Sequence, residues 1–183
     1  LHVRSRRQRQ MCIRDSITGG PSTGKTTVVN LLAEKGYNTA IEHARHYIET
    51  MSIGGKTVAE IRENKLEFQQ GVLKMQIEQE AKLDPEEAVF LDRAIPDALA
   101  YYRFLRLEPD ALLNAALAHV DYKKVFILDR LPLVKDYART ENESEQRHIH
   151  SLIIEVYKSL SFPIVHVPVL PPEERVQFIL NNL

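Results

Sequence analysis

The sequence contains almost no cysteine and no long apolar segment. Its 183 residues include one cysteine, Cys12, so no disulfide can form within the chain. No uninterrupted apolar run approaches the roughly 18 residues that a membrane-spanning helix needs. The formal net charge is −1, which provides no overall field for holding nucleic acid or an anionic membrane. These absences predict a cytoplasmic protein that binds neither nucleic acid nor a membrane.

The composition is that of a folded globular protein. Hydrophobic residues make up 44% of the chain and charged residues 27%, which excludes a disordered or fibrous class. The length suits one domain with one core better than two domains. Nothing in the composition sets an oligomeric state.

The first 16 residues differ in character from the rest. Four of the 24 basic residues lie in the first ten positions, so the remainder has 20 basic and 25 acidic residues, a net charge of −5. This basic cluster could be a nucleic-acid-binding arm, but the run RRQRQMCIRDS resembles a translated sequencing-library adapter. We therefore expect residues 1–16 to be a non-native tail, disordered or poorly packed. Residues 17–183 would form the single domain.

Strand-like and helix-like segments alternate along the chain, a pattern typical of an α/β protein with a parallel sheet. A first helix is expected over 25–35, and one long helix over 57–83 that ends before Pro85. Pro109 is expected in the first turn of a later helix, and Thr140 and Glu143 match a capping box. The five predicted strands are 13–18, 37–41, 88–91, 124–128 and 164–167.

A glycine-rich segment between the first strand and the first helix matches the phosphate-binding loop G-x-x-x-x-G-K-[ST]. Its glycines allow backbone N–H groups to surround phosphate oxygens, and the helix N-terminus adds partial positive charge. Lys25 would reach the terminal phosphates of a nucleotide such as ATP, and Thr26 would offer its hydroxyl to Mg²⁺. The predicted nucleotide-binding residues are Gly19, Gly20, Pro21, Ser22, Thr23, Gly24, Lys25, Thr26 and Thr27.

Two aspartates follow apolar strands and are candidates for the metal-facing carboxylate of a metal-bound triphosphate. Asp92 ends VFLD and is the first choice, but Asp129 ends VFILD in the same way. Either one could instead cap the turn that follows its strand. The sequence leaves both candidates open.

Three further side chains are candidates for catalysis. Glu42 follows the second strand and could be a general base, or a solvated carboxylate paired with Arg45. Arg139 and Arg147 could close over the phosphates, although surface arginines without a role are almost as compatible with the pattern.

The chain resembles the NadR-like P-loop ATPase/kinase family, often labelled AAA-domain ATP-binding proteins. In addition to Glu42-x-x-Arg45, four blocks carry the resemblance: ITGGPSTGKTT (17–27), LDRAIPDALAYYRFL (91–105), LDRLPLVKDYART (128–140) and VPVLPPEERVQFIL (167–180).

This resemblance implies a P-loop NTPase fold, a three-layer sandwich with a five-stranded parallel sheet of order 2-3-1-4-5 that binds ATP and Mg²⁺. It also implies that Asp92 and Arg93 serve the acceptor or the metal, and that Glu42 takes the acceptor proton. A lid at about 136–150 would supply Arg139 and Arg147.

Two functions are compatible with these features. The first is transfer of the ATP γ-phosphoryl group to a small hydroxyl-bearing acceptor, as in a nucleoside-like kinase. The alternative is a nucleotide-hydrolysing regulatory switch, which has no small acceptor. The Asp92-Arg93 and Glu42-x-x-Arg45 pairs favour the first function, because a switch needs no acceptor pocket.

Overall fold

Five short strands pair in parallel to form one sheet. The computed structural model describes residues 14–40, 43–53, 55–84, 86–132 and 142–183. The spatial order of the strands is β2-β3-β1-β4-β5, which confirms the predicted α/β class and strand order. The strands are β1 (Arg14–Thr18), β2 (Asn38–Ala40), β3 (Val89–Asp92), β4 (Lys124–Leu128) and β5 (Ile164–Val167).

Helices cover both faces of the sheet, as expected for a three-layer arrangement. Within the described ranges, none of them is long and apolar enough to cross a membrane. They are α1 (Lys25–Glu34), α2 (His43–Ile53), α3 (Val58–Glu63), α4 (Lys65–Lys82), α5 (Ile95–Phe104), α6 (Ala111–Leu117), α7 (Glu143–Lys158) and α8 (Pro172–Leu180).

The two faces of the sheet contribute to separate apolar clusters. Alternate residues of β4 point in opposite directions, so Val125 packs with α5 and α7 while Phe126 packs with α1 and α8. Both side chains are fully buried. The strands are therefore apolar on both faces, as is typical of a parallel sheet between two helical layers.

The prediction of a single helix over 57–83 is wrong, because the helical conformation is interrupted at Asn64. This residue adopts an extended conformation with ψ of 91°, and its side chain accepts a hydrogen bond from the Glu67 N–H at 3.1 Å. Asparagine stabilises a helix start in this way more readily than it continues a helix. The segment therefore forms α3 and α4 in place of one helix.

Two other helix starts also differ from the prediction because a different side chain caps them. Asp110 caps α6, so Pro109 precedes the cap and does not lie in the first turn. Asn142 and Glu145 form the capping box of α7. The predicted cap, Thr140, lies outside the described residues.

Strand β1 begins at Arg14, so residues 14–16 of the expected tail lie in the sheet. Asp15 pairs with Lys124 of β4 and Phe90 of β3, and its side chain is only 3% exposed. Its Oδ1 has no hydrogen-bond partner among the described residues. Burial raises the pKa of Asp15 to about 6, although Lys123 and Lys124 act in the opposite direction. This carboxylate is a poor fit to its position, because both faces of the strand are buried.

Replacing Asp15 by valine should stabilise the fold, because an apolar side chain of similar size suits the buried position. We expect the free energy of unfolding at pH 7.5 to rise by about 1–3 kcal/mol, the typical cost of an unsatisfied buried polar group. Since the folded-state pKa of Asp15 is raised, its carboxyl destabilises the fold increasingly as the pH rises from 3.8 to about 6. The gain should therefore be smaller at pH 4.

Denaturant unfolding of wild type and Asp15→Val at the two pH values measures this effect. Asp121→Val, at an exposed aspartate, is the control and should leave stability nearly unchanged. Equal stability of wild type and Asp15→Val at pH 7.5, or a gain that does not depend on pH, would contradict the explanation.

Candidate functional site

The glycine-rich loop lies between the end of β1 and the start of α1, at the centre of the sheet. Its backbone requires glycine at two positions. Gly19 has φ of +139°, and a Cβ there would lie 2.8 Å from the Leu128 carbonyl oxygen. Gly24 has φ of +82° directly before α1. The loop thus turns sharply against β4 and leads into a helix N-terminus, where partial positive charge favours anions.

Lys25 lies across this loop. Its Nζ donates to the carbonyl oxygens of Gly19 at 3.0 Å and Gly20 at 2.8 Å, and to Thr23 Oγ1 at 3.2 Å. The side chain is only 5% exposed. The ammonium group is therefore held against the backbone of the loop.

Thr26 and Asp92 meet at the edge of the loop. The Thr26 hydroxyl donates to Asp92 Oδ2 at 3.0 Å, and the Asp92 side chain is 2% exposed. Of the two candidate aspartates, the structure brings Asp92 against the loop threonine. Thr27, the next residue of α1, is exposed.

The Thr26 and Asp92 oxygens fit Mg²⁺. A hydroxyl and one carboxylate are hard oxygen ligands, and Mg²⁺ usually takes one or two carboxylates and fills its remaining positions with phosphate oxygens and water. No group of three or more His, Cys, Asp or Glu side chains that could hold a metal ion occurs in the part of the chain that the structure describes. A site of this kind therefore depends on a nucleotide to complete it.

Arg93 connects the loop to α5. Its backbone has φ of +71°, and its N–H donates to the Ile17 carbonyl oxygen at 3.0 Å. The guanidinium donates to Asp97 Oδ1 at 3.2 Å and to the Tyr101 hydroxyl at 3.1 Å. The same group lies 3.5 Å from the Gly19 carbonyl oxygen. The positive charge is thus positioned beside the loop.

Asp97 is a site residue that the sequence analysis missed. Its carboxylate accepts hydrogen bonds from the Thr18 hydroxyl at 2.5 Å, the Ala94 N–H at 3.2 Å and the Tyr157 hydroxyl at 2.7 Å. Burial, and then the negative charge of Asp97, raise the pKa of Tyr157, so this hydroxyl stays protonated and donates. Asp97 lies in the first turn of α5, four residues after Arg93, which precedes the helix with a positive φ, so helical spacing did not indicate the pair.

Helix α7 contacts the loop through two side chains. His150 Nδ1 accepts from the Gly20 N–H at 3.2 Å, and Gln146 Nε2 donates to the Pro21 carbonyl oxygen at 2.9 Å. Burial lowers the pKa of His150 to about 4, with a smaller contribution from Arg130. His150 is therefore neutral at pH 7, as an acceptor must be. No sequence signal indicated these contacts, because the α7 residues are 125 and 130 positions from their loop partners.

Arg175 of α8 holds the loop from the opposite face of the sheet. It donates to the carbonyl oxygens of Thr23 at 2.6 Å, Asp129 at 3.1 Å and Pro168 at 3.0 Å. The residue is 2% exposed, and burial lowers its pKa. One buried guanidinium thus joins the loop to the segments that follow β4 and β5. No motif in the sequence indicates this contact.

The remaining predicted residues are distributed differently. Arg147 is exposed on α7, where its Nη1 donates to Glu143 Oε1 at 2.5 Å. Glu42, Arg139 and the first part of the expected lid, 136–141, lie outside the described residues, whereas 142–150 form the N-cap and first turns of α7. Arg45 lines a cavity next to the loop.

This cavity has a volume of about 610 Å³, within the range typical of small-molecule sites. Pro21 of the loop, Arg93 and Asp97 line one side of it. Helices α2, α3, α4, α5 and α7 contribute to the other walls. The arrangement places room for a second molecule directly beside the phosphate-binding loop.

Comparisons with known proteins agree with this geometry. A family model described as AAA domain matches residues 15–175. A search of curated proteins finds no significant match. Deoxyadenosine kinase from M. mycoides with bound products superposes with a TM-score of 0.68 and 16% identity over 92% of this chain and 97% of that one.

Two further solved structures are similar. Shikimate kinase from Acinetobacter baumannii in complex with shikimate has a TM-score of 0.62 and 18% identity over 94% of this chain and 93% of that one. NadR protein in complex with NAD and AMP-PNP has a TM-score of 0.61 and 18% identity, and this chain covers 48% of its length. At these identities the likeness shows the fold, that of P-loop kinases.

The contact between His150 and Gly20 should make stability dependent on pH. Because the folded-state pKa of His150 is about 4 and the ordinary value is 6.5, neutral His150 stabilises the fold above pH 6.5, and this contribution is lost as the pH falls toward 4. His150→Asn keeps an acceptor but does not titrate. The variant should therefore gain stability relative to wild type between pH 7.5 and pH 5.

The difference in unfolding free energy between the two proteins at each pH measures this effect. Asp15 and Glu80, whose pKa values burial raises to about 6 and about 7, titrate in both proteins and cancel in the difference. His119→Asn, at an exposed histidine, should show no such change. A difference for His150→Asn that is the same at both pH values would rule out the proposed cause.

Proposed function

The chain belongs to the AAA-domain family, and from this premise we propose that it binds ATP and transfers the γ-phosphoryl group to a small hydroxyl-bearing acceptor, nucleoside-like in size. The observation that carries the proposal is the adjacency of two sites at one edge of the sheet. The phosphate-binding loop with its Thr26–Asp92 pair lies beside a cavity of about 610 Å³ that is lined by Arg93 and Asp97. The loop would hold the donor, and the cavity would hold the acceptor.

Binding of the donor would use the loop amides, the helix N-terminus and Lys25. The Lys25 ammonium exchanges its contacts with loop carbonyl oxygens for phosphate oxygens, which carry full negative charge. The Thr26 hydroxyl and the Asp92 carboxylate would hold Mg²⁺, which neutralises phosphate charge when it is bound. These groups reduce the electrostatic repulsion between the phosphate oxygens and the hydroxyl oxygen of the acceptor.

In the transfer step the acceptor hydroxyl oxygen forms a bond to the γ-phosphorus. The bond from that phosphorus to the bridging oxygen breaks, and ADP leaves with the electron pair. The hydroxyl proton goes to a carboxylate, for which we propose Glu42 or Asp92. Asp97 is a weaker candidate because its oxygens already accept several hydrogen bonds, and its role is to position Arg93. We propose that Arg139 and Arg147 close over the site.

Lys25→Ala should lower ATP turnover about 100-fold or more, because loss of one preorganised positive charge at a phosphoryl-transfer site has this order of effect. Lys35→Ala, at an exposed lysine after the same helix, is the matched control and should retain turnover. Circular dichroism and thermal melting establish that both variants fold. If folded Lys25→Ala turns over ATP at the wild-type rate, the proposal is wrong.

ADP release in the presence of acceptors distinguishes transfer from simple hydrolysis. With Mg-ATP and a panel of nucleosides and small hydroxy acids, we expect release that depends on the acceptor and phosphorylated acceptor as a product. Asp92→Asn should abolish this release, and Asp121→Asn, at an exposed aspartate, should not. If ADP release is the same in the presence and in the absence of each acceptor, the result favours the regulatory ATPase instead.

A further inference from the structure

The cavity beside the loop has an excess of positive charge. Among the described residues, five cations and two carboxylates line it, an excess of three positive charges in a chain of net charge −1. Both carboxylates are occupied within the protein. Asp97 accepts the hydrogen bonds described above, and Glu145 accepts from the Asn142 N–H at 2.8 Å in the capping box. The cations are Arg45, Arg62, Lys65, Arg93 and Arg106.

Helices α4 and α5, which form two walls of the cavity, run antiparallel. Near the end of α4, Glu80 accepts from the Tyr122 hydroxyl at 3.0 Å, and this hydroxyl accepts from the N–H of Ile95 at the start of α5. Near the start of α4, Gln70 donates to Asp110, beyond the end of α5, at 2.7 Å. Tyr102 in the last turn of α5 donates to the same Asp110 carboxylate, so the N-terminal part of α4 lies toward the C-terminal end of α5.

This orientation places three of the five cations along the cavity. Arg93 precedes α5 and lies at the loop. Lys65 begins α4 and Arg106 follows α5, so both lie at the distal end, about 15 Å away by the rise of the ten-residue helix α5. Because of this distance, Lys65 and Arg106 do not serve the phosphates of a nucleotide held by the loop.

Between the two ends the lining is largely apolar. Ile48, Phe68 and Val72 face the cavity there, and the Arg62 guanidinium lies 5.2 Å from the centre of the Phe68 ring. Aromatic and guanidinium planes suit the faces of a flat ring. From the distal end to the loop, the cavity thus has an end that favours anions, an apolar middle and the end at the loop.

We propose that the acceptor is an anion with a ring, whose hydroxyl group lies at the loop end and whose carboxylate or phosphate group lies at the distal end near Lys65 and Arg106. This inference rests on the proposed function, because it describes the acceptor of that reaction. The distal group takes no part in the bond changes. It supplies binding energy and orients the hydroxyl toward the γ-phosphorus.

Calorimetry with matched probes tests the inference. The nucleotide site is first filled with AMP-PNP and Mg²⁺, and then orotidine is compared with uridine, and adenosine 3′-monophosphate with adenosine. The anionic member of at least one pair should bind about tenfold tighter or more, the effect of one charge-assisted hydrogen bond. The pair that shows the gain identifies carboxylate or phosphate as the recognised group. Equal binding within both pairs, including no measurable binding of any probe, overturns the inference.

Variants locate the effect in the structure. The double substitution Lys65→Gln and Arg106→Gln should remove most of the gain in affinity of the anionic probe over its neutral partner. It should leave binding of the neutral probes unchanged. Lys82→Gln, at an exposed lysine near the other end of α4, should keep the gain. Since Lys65 and Arg106 are exposed, the gain should also fall as ionic strength rises. A gain that persists in the double variant contradicts the assignment.

This result is separable from the proposed function. Failure of the proposed function appears as absence of acceptor-dependent ADP release or as unchanged turnover in Lys25→Ala. Failure of the present inference appears as equal affinity for charged and neutral probes in a protein that still releases ADP in response to an acceptor.

Discussion

The site depends on hydrogen bonds from buried side chains to the carbonyl oxygens of the glycine-rich loop. These bonds fix the conformation of the loop. A loop that directs its N–H groups outward to an anion directs several carbonyl oxygens inward, and these oxygens need donors when they are buried. Gln146 of α7 and Arg175 of α8 supply them from opposite faces of the sheet. In the absence of a nucleotide, Lys25 at the start of α1 donates to two others. The loop conformation is therefore a property of the whole three-layer fold and not of the glycine-rich segment alone.

A second buried network joins the sheet to the cavity. Asp97 accepts from Thr18 at the end of β1, from Tyr157 of α7 and from Arg93 at the cavity wall. Its carboxylate is buried, and the several donors that surround it stabilise it there. The network fixes the direction of Arg93 relative to the loop. The donor and acceptor sides of the proposed reaction thus share one set of hydrogen bonds.

The sequence predicts those parts of the molecule that depend on local spacing. The glycine-rich loop and the candidate Asp92 follow from short patterns that are contiguous in the chain, whereas the strand order was implied only by the resemblance to a family. Helix starts were predicted less well, because Asn64 and Asp110 act through side-chain hydrogen bonds whose geometry the sequence does not contain. His150 and Arg175 could not be assigned, since their loop contacts join residues 130 and 152 positions apart.

The walls of the cavity come from two different parts of the chain. The loop, Arg93 and Asp97 belong to the sheet and its immediate connections, whereas about half of the lining, from Ala44 to Gln76, belongs to the helices between β2 and β3. That connection joins two neighbouring strands of the sheet, whereas the donors to the loop carbonyl oxygens described above come from α1, α7 and α8. Its helices can diverge in sequence, length or packing while the donor machinery is conserved. Descendants of one ancestral scaffold could in this way acquire new acceptors through changes in a single inserted stretch.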